Sequence, residues 1–230
     1  SVRFATPETL AQAVTPATAA IALDTVLGEG GVLPLSAETL EEARALADEN
    51  DALLVFDEVQ TGVGRTGEFF AWERHGVRPD ALTLAKGLAN GLPIGALLVS
   101  DSAPTGFVPG DHASTFVGNP VSCAAALPIL DALEAQRPQA EKLGVRLRER
   151  LEQIAPAGSD VRGLGPMLAI ELPERTPDEA SRIVAAARER GLMLLSCGIY
   201  GNVIRILVPL TIGDEELERG LDILEAAVAG

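Results

Sequence analysis

The chain has 230 residues, 47 % of them hydrophobic, which is enough for one large domain or two modest ones with a real core. A formal charge of -15 at pH 7 and an isoelectric point near 4.5 argue against nucleic acid or an anionic membrane surface as partner, because neutralising phosphates takes clustered Lys and Arg. No apolar run approaches the ~20 residues that span a bilayer, and the first residues lack a basic-then-apolar leader pattern, so the expectation is a cytoplasmic protein that meets small molecules or other chains.

Thr6 and Pro7 open a short helical pattern, and "AAIAL" (19–23) has the apolar content of a buried strand ending before Asp24. After the glycine turn "GEGG", a helix is expected from about Ser36 to Asn50, with Leu40, Ala43 and Ala47 on one face. Three more buried strands follow in "ALLVF" (52–56), "ALTL" (81–84) and "IGALLVS" (94–100). Continuous apolar strands joined through helices imply an α/β fold with a parallel or mixed sheet covered on both faces.

A long apolar helix begins near Gly118. Around Ala135 to Pro138 the pattern changes to charged helices and amphipathic strands, so domains are expected over 1–135 and 136–230. The second contains a charged helix (139–154), the strand "MLAIEL", and a helix opened by a capping box at Thr176 and Glu179. Strands "LMLLS" and "VIRIL" and a last helix over 214–228 make this part α+β.

Cys123 and Cys197 have no C-x-x-C partner and are expected to be buried thiols. His75 and His112 lie far apart without ligand-like spacing to carboxylates, so no metal site is expected.

Two residues stand out chemically. Asp57 closes a buried strand, and the carboxyl ends of strands in open α/β sheets are where ligands bind; a loop carboxylate capping a backbone N–H is the plainer alternative. Lys86 also lies just past a buried strand, and only it and Lys142 among the eighteen basic residues are lysine. An amine can lose its proton and form a Schiff base where guanidinium cannot, although a lysine snorkelling from a strand end fits the same position. Together, Asp57 and Lys86 suit pyridoxal 5'-phosphate: the lysine carries the aldehyde as an imine and the aspartate keeps the pyridine nitrogen protonated. Val59, on an extended segment, would pack on the ring face, and Gln60 would reach the phenolic oxygen.

The segments "DEVQTGVGRTG", "PDALTLAKGLANGLPIGA", "GDHASTFVGNPVSCAAA" and "LLSCGIYGNVIRILVPLTI" resemble, in this order, the class III (ω-amino acid) aminotransferases of pyridoxal phosphate fold type I. The interval from Asp57 to Lys86 equals that from Lys86 to Thr115, and is similar to the family's spacing of aspartate, lysine and phosphate-binding threonine. The resemblance implies part of a mostly parallel large-domain sheet with helices on both faces, plus a small α+β domain. It makes Lys86 the Schiff-base lysine, Asp57 the pyridinium partner and Gln60 the ring-oxygen contact. Thr115, beside Ser114, would bind phosphate in a neighbouring subunit's site, which implies a homodimer with shared active sites; from the residues alone, Ser and Thr before Gly-Asn-Pro suit a turn. Arg205, within "VIRIL", needs an anion: either a structural ion pair or, by the resemblance, a substrate carboxylate.

The chain departs from the family at Asp24 and Leu27, which replace a glutamate and a glutamine. In the family that glutamate pairs with the substrate-binding arginine and swings aside for the keto acid, which would give Asp24 a part in substrate binding. The resemblance also covers only the later part of a family chain, without the glycine-serine phosphate loop and the stacking aromatic, so a second chain supplying that part is a further expected partner. The activity implied is transfer of an ω-amino group from acetylornithine or 4-aminobutyrate to 2-oxoglutarate. The alternatives are a non-catalytic partner subunit or another fold type I reaction.

Overall fold

The computed structural model describes residues 1–103 and 106–230. A 3-10 turn (Pro7–Thr9) leads into helix α1 (Leu10–Ala13), strand β1 (Ala20–Asp24) and the short strands β2 (Val26–Leu27) and β3 (Leu33–Pro34). Next come helix α2 (Ala37–Glu49), strands β4 (Leu53–Asp57), β5 (Ala81–Leu84) and β6 (Ala96–Val99), and helix α3 (Pro120–Ile154). They are followed by strands β7 (Asp160–Leu164) and β8 (Met167–Glu171), helix α4 (Asp178–Glu189), strands β9 (Leu195–Cys197) and β10 (Val203–Leu207), and helix α5 (Asp214–Ala229). Two compact units result, Ser1–Thr25 with Leu35–Val63 and Glu68–Glu134, and Val26–Pro34 with Gly64–Gly67 and Ala135–Gly230.

In the first unit the strand order is β1-β4-β5-β6, with β1, β4 and β5 parallel and β6 antiparallel. One sheet face carries Ile21, Leu54, Phe56, Leu82 and Leu84, which form a core with Leu40, Ala43 and Ala47 of α2. Those three residues recur at helical spacing, and Ser36 starts the helix by accepting the Thr39 N–H at 3.2 Å. On the other face, at the carboxyl ends of the strands, Asp24, Asp57 and Thr83 lie in register.

Strand β6 corrects the expectation of a fourth buried strand. It pairs with β5 along one side only, and Leu97, Leu98 and Val99 are 51 %, 40 % and 41 % exposed. An apolar run identifies a strand but cannot tell a central one from an edge.

In the second unit the antiparallel order is β7-β8-β10-β9. Alternation sends Leu168, Ile170, Ile204 and Ile206 into a core with Leu147, Leu151, Ile183, Leu221 and Leu224 from helices α3, α4 and α5. Met167, Ala169 and Val203 face the opposite way and cluster with Val26, Val32 and Cys197, so this sheet is buried on both faces. The β2–β3 hairpin that carries "GEGG" therefore belongs to this unit.

Three further expectations are corrected. Helix α3 runs unbroken through Ala135–Pro138 where two helices were expected: the change in composition marks a change in what its apolar face packs against, from the core holding Ala126 and Leu133 to the one holding Leu143, Leu147 and Leu151. Helix α4 starts at Asp178 with Pro177 at its N-cap and no side-chain cap, so the Thr176 box does not form. Cys123 is exposed and only Cys197 is buried, because a helix interior placement says nothing of which side faces solvent. Gly144 is fixed by close approach: a Cβ there would lie 2.6 Å from the Gly165 carbonyl carbon. Among the described residues, no helix is long and apolar enough to cross a membrane and no cluster of metal-ligating side chains exists.

Candidate active site

Because β4 and β5 are parallel neighbours, their carboxyl ends open on the same edge of the sheet. Asp57 is the last residue of β4, and Lys86 follows β5 by two positions, opening a 3-10 turn (Lys86–Ala89). Lys86 has φ 44°, a left-handed conformation that costs a non-glycine residue on the order of 1–3 kcal/mol and clusters at functional sites. Its side chain is exposed, so the snorkelling description fits its burial.

The Asp57 carboxylate accepts the Val59 N–H at 2.9 Å and the Thr83 hydroxyl at 3.1 Å, both on Oδ1. This leaves Oδ2 for a donor such as a protonated ring nitrogen. Asp24 is half-buried beside this group; burial raises its carboxyl above the usual aspartate range, the Asp57 charge raises it further, and Lys86 pulls it down. The two carboxylates and the amine thus share one electrostatic neighbourhood that suits a cofactor needing both an anion and an amine.

Val59 is not on an extended segment. The Asp57 side chain binds its N–H and turns the chain there, which leaves Val59 and Gln60 half-buried in the turn just beyond the strand. Ser114 and Thr115 are exposed, and Thr115 starts a turn in which the Val117 N–H reaches the Ser114 carbonyl at 3.4 Å.

Glu58, which sequence reasoning passed over, is 1 % exposed and organises this turn. It accepts the Ala71 N–H at 2.9 Å, the Trp72 N–H at 3.0 Å and the Thr61 hydroxyl at 3.0 Å, and Thr25 donates in turn to Thr61 at 3.3 Å. Burial raises the Glu58 carboxyl against the lowering effect of those donors. The native chain therefore holds this proton more tightly than the unfolded chain, and stability falls as pH climbs from the ordinary glutamate range through the raised value. Glu58→Gln is expected to flatten that slope in urea melts across pH. Glu58→Ala, which strands two backbone donors, is expected to lose roughly 2–4 kcal/mol.

In the second unit Arg205 is 8 % exposed and its Nη1 meets Glu29 Oε1 at 2.5 Å. Arg205 shares the β10 face with Val203, which packs against the β2–β3 hairpin, so the buried guanidinium meets the acidic residue of "GEGG". Glu29 is the carboxylate that meets Arg205, whereas Asp24 stands with Asp57 and Lys86. A lone acid between glycines was the available signal, hidden because the segment has the composition of a plain turn. Cys197 lies near this pair, its thiol pushed up by burial.

A family model for class-III aminotransferases matches residues 4–228. The 5-aminovalerate aminotransferase DavT of Pseudomonas putida is 46 % identical over 92 % of this chain and 52 % of its own length. The 4-aminobutyrate aminotransferase GabT of Escherichia coli is 45 % identical, covering 90 % of this chain and 51 % of that protein. The acetylornithine aminotransferase of Methanothermobacter thermautotrophicus is 44 % identical, covering 94 % and 55 %. The chain thus spans about half the length of the curated relatives it matches. Among solved structures, an ornithine aminotransferase from Toxoplasma gondii with partial occupancy of PLP at its active site superposes with a TM-score of 0.87 at 32 % identity, over 99 % of this chain and 55 % of that one. Sequence and fold agree: the chain belongs to the class-III aminotransferases, the pyridoxal phosphate enzymes of fold type I.

Proposed function

We propose that this chain is the part of an aminotransferase that holds pyridoxal phosphate through Lys86 and Asp57 and moves an ω-amino group to 2-oxoglutarate. The observation that supports this most directly is the pair of adjacent parallel strand ends, with Asp57 Oδ2 taking neither the Val59 nor the Thr83 bond and Lys86 two residues past β5. When bound, the cofactor supplies an aldehyde that captures amines and a ring that accepts electrons.

In this reading Lys86 would hold the cofactor covalently through Nζ and, when that amine is free, would serve as the base that takes up and returns a proton. Asp57 accepts the ring N–H and holds that proton in place, fixed by its bonds to Val59 and Thr83. Val59 and Gln60 border the ring, and Ser114 and Thr115 contribute a phosphate contact across a homodimer. Arg205 clamps a carboxylate of the substrate, with Glu29 covering its charge while an ω-amine donor is bound.

Donor candidates are acetylornithine and 4-aminobutyrate, joined by 5-aminovalerate on the strength of the P. putida relative. All three present an amine separated from a carboxylate by a short chain. Supplying each with 2-oxoglutarate and measuring glutamate distinguishes them; no glutamate from any donor, with the other half of a relative's chain added, overturns the reading.

The exposed apolar edge of β6 favours a second reading, in which the chain is a partner or structural subunit that works only when another chain covers that edge. Turnover by the isolated chain eliminates it. Turnover that appears only when the complementing chain is added supports it.

A further inference from the structure

Nothing in the function just described requires Arg162, yet from β7 its side chain grips the loop that presents Glu29. Its side chain is 15 % exposed, with Nε donating to the Gly31 carbonyl at 2.9 Å and Nη1 to Asp160 at 3.0 Å. Nη1 also pairs with Glu171, and Asn202 donates to the other Glu171 oxygen at 3.3 Å. On the other side of the loop, the Gly198 N–H donates to the Glu29 carbonyl at 3.0 Å.

The loop fits this cradle closely. Gly31 has φ 124°, and a Cβ on it would sit 2.9 Å from Arg162 Nη2 and 3.5 Å from Val203. The backbone is pinned at residues 29 and 31, whereas the Glu29 side chain is 70 % exposed against 8 % for Arg205. A pinned backbone with an exposed carboxylate lets Glu29 leave by side-chain rotation alone, without moving the loop.

We propose that Arg162 is a positioning residue: by holding the Gly31 carbonyl it sets how strongly Glu29 competes with an incoming carboxylate for Arg205. The proposal rests on the reading of Arg205 as the carboxylate clamp. It assigns Arg162 no contact with substrate. Its effect is on the balance between the internal carboxylate and an external one, which any acid reaching Arg205 must shift.

The test is titration of the full chain with glutarate, followed on the 15N-labelled Arg205 Nε–H resonance, together with the rotation rate of the Arg205 guanidinium. Glu29→Gln is expected to tighten glutarate about tenfold, and Arg162→Gln about threefold with faster guanidinium rotation. Arg162→Lys, which keeps a charged donor, is expected to restore most of the native behaviour. The double variant is expected to be no tighter than Glu29→Gln, because both act through one competitor.

General damage to the unit weakens glutarate and is not rescued by lysine. Unchanged or weaker glutarate affinity in Arg162→Gln with native rotation overturns the proposal, as does full additivity with Glu29→Gln. Should Arg162→Gln fail to fold, Glu171→Gln loosens the same guanidinium and carries the same expectations. Arg205→Ala binding glutarate as tightly as the native chain overturns the clamp itself and so separates the two ideas.

Discussion

Lys86→Ala is expected to abolish the near-visible absorbance that the native chain develops with pyridoxal phosphate, and with it all measurable glutamate formation. General base catalysis alone is worth roughly 10²–10⁴-fold, and losing covalent attachment adds to that, so the rate is expected to fall by at least about 10⁴-fold. Stability is a control on this result. The Lys86 side chain is exposed and its backbone is left-handed, a strain that alanine inherits, so the free energy of unfolding from urea melts is expected to stay within about 1 kcal/mol of native. An absorbance band that persists in Lys86→Ala places the attachment elsewhere and ends the assignment. If neither chain develops the band until the other half of a relative's chain is added, the same comparison is made on that complex.

Which parts of this site were legible in the sequence follows from how each residue is positioned. Asp57 and Lys86 sit at the ends of apolar runs, and a run of that kind announces both a buried strand and the place where it stops. Their neighbourhood could therefore be inferred before any register was known. Glu58 adjoins Asp57, but its importance lies in the Ala71 and Trp72 amides it collects, contacts that no local pattern encodes.

Glu29 and Arg162 were hidden for a related reason. The hairpin that carries Glu29 lies in sequence between two elements of the first unit, yet folds with the second, against strands more than a hundred residues later. Hydrophobic periodicity reports local structure and not such long-range membership. Burial of the "VIRIL" arginine did demand an anion, and that inference was sound; only the identity of the anion needed the fold. The same limit explains β6, whose apolar residues mark a strand while its exposure depends on what pairs with its free edge.

Asp57→Asn is the sharper probe of the cofactor reading, because it changes charge and almost nothing else. An asparagine Oδ1 still accepts the Val59 N–H and the Thr83 hydroxyl, so the turn after β4 keeps its geometry. At the position of Oδ2 it offers an N–H in place of a negative oxygen, which faces a ring N–H donor to donor. If Asp57 has the proposed role, the ring nitrogen would then lose the group that keeps it protonated, and the cofactor much of its capacity to accept electrons. Removing one preorganised electrostatic partner from a catalytic site costs about 10²–10³-fold in kcat, and the same loss is expected here, with Lys86 still attached and its absorbance band still present. Because Asp57 also raises the Asp24 carboxyl, the variant is expected to bring the Asp24 titration back toward the ordinary aspartate range, which a 13C carboxyl titration reads without any turnover. Native kcat in Asp57→Asn removes Asp57 from the chemistry and leaves it the role of a turn-forming carboxylate. A normal Asp24 titration shift alongside a lost kcat places its effect on the ring rather than on its neighbours.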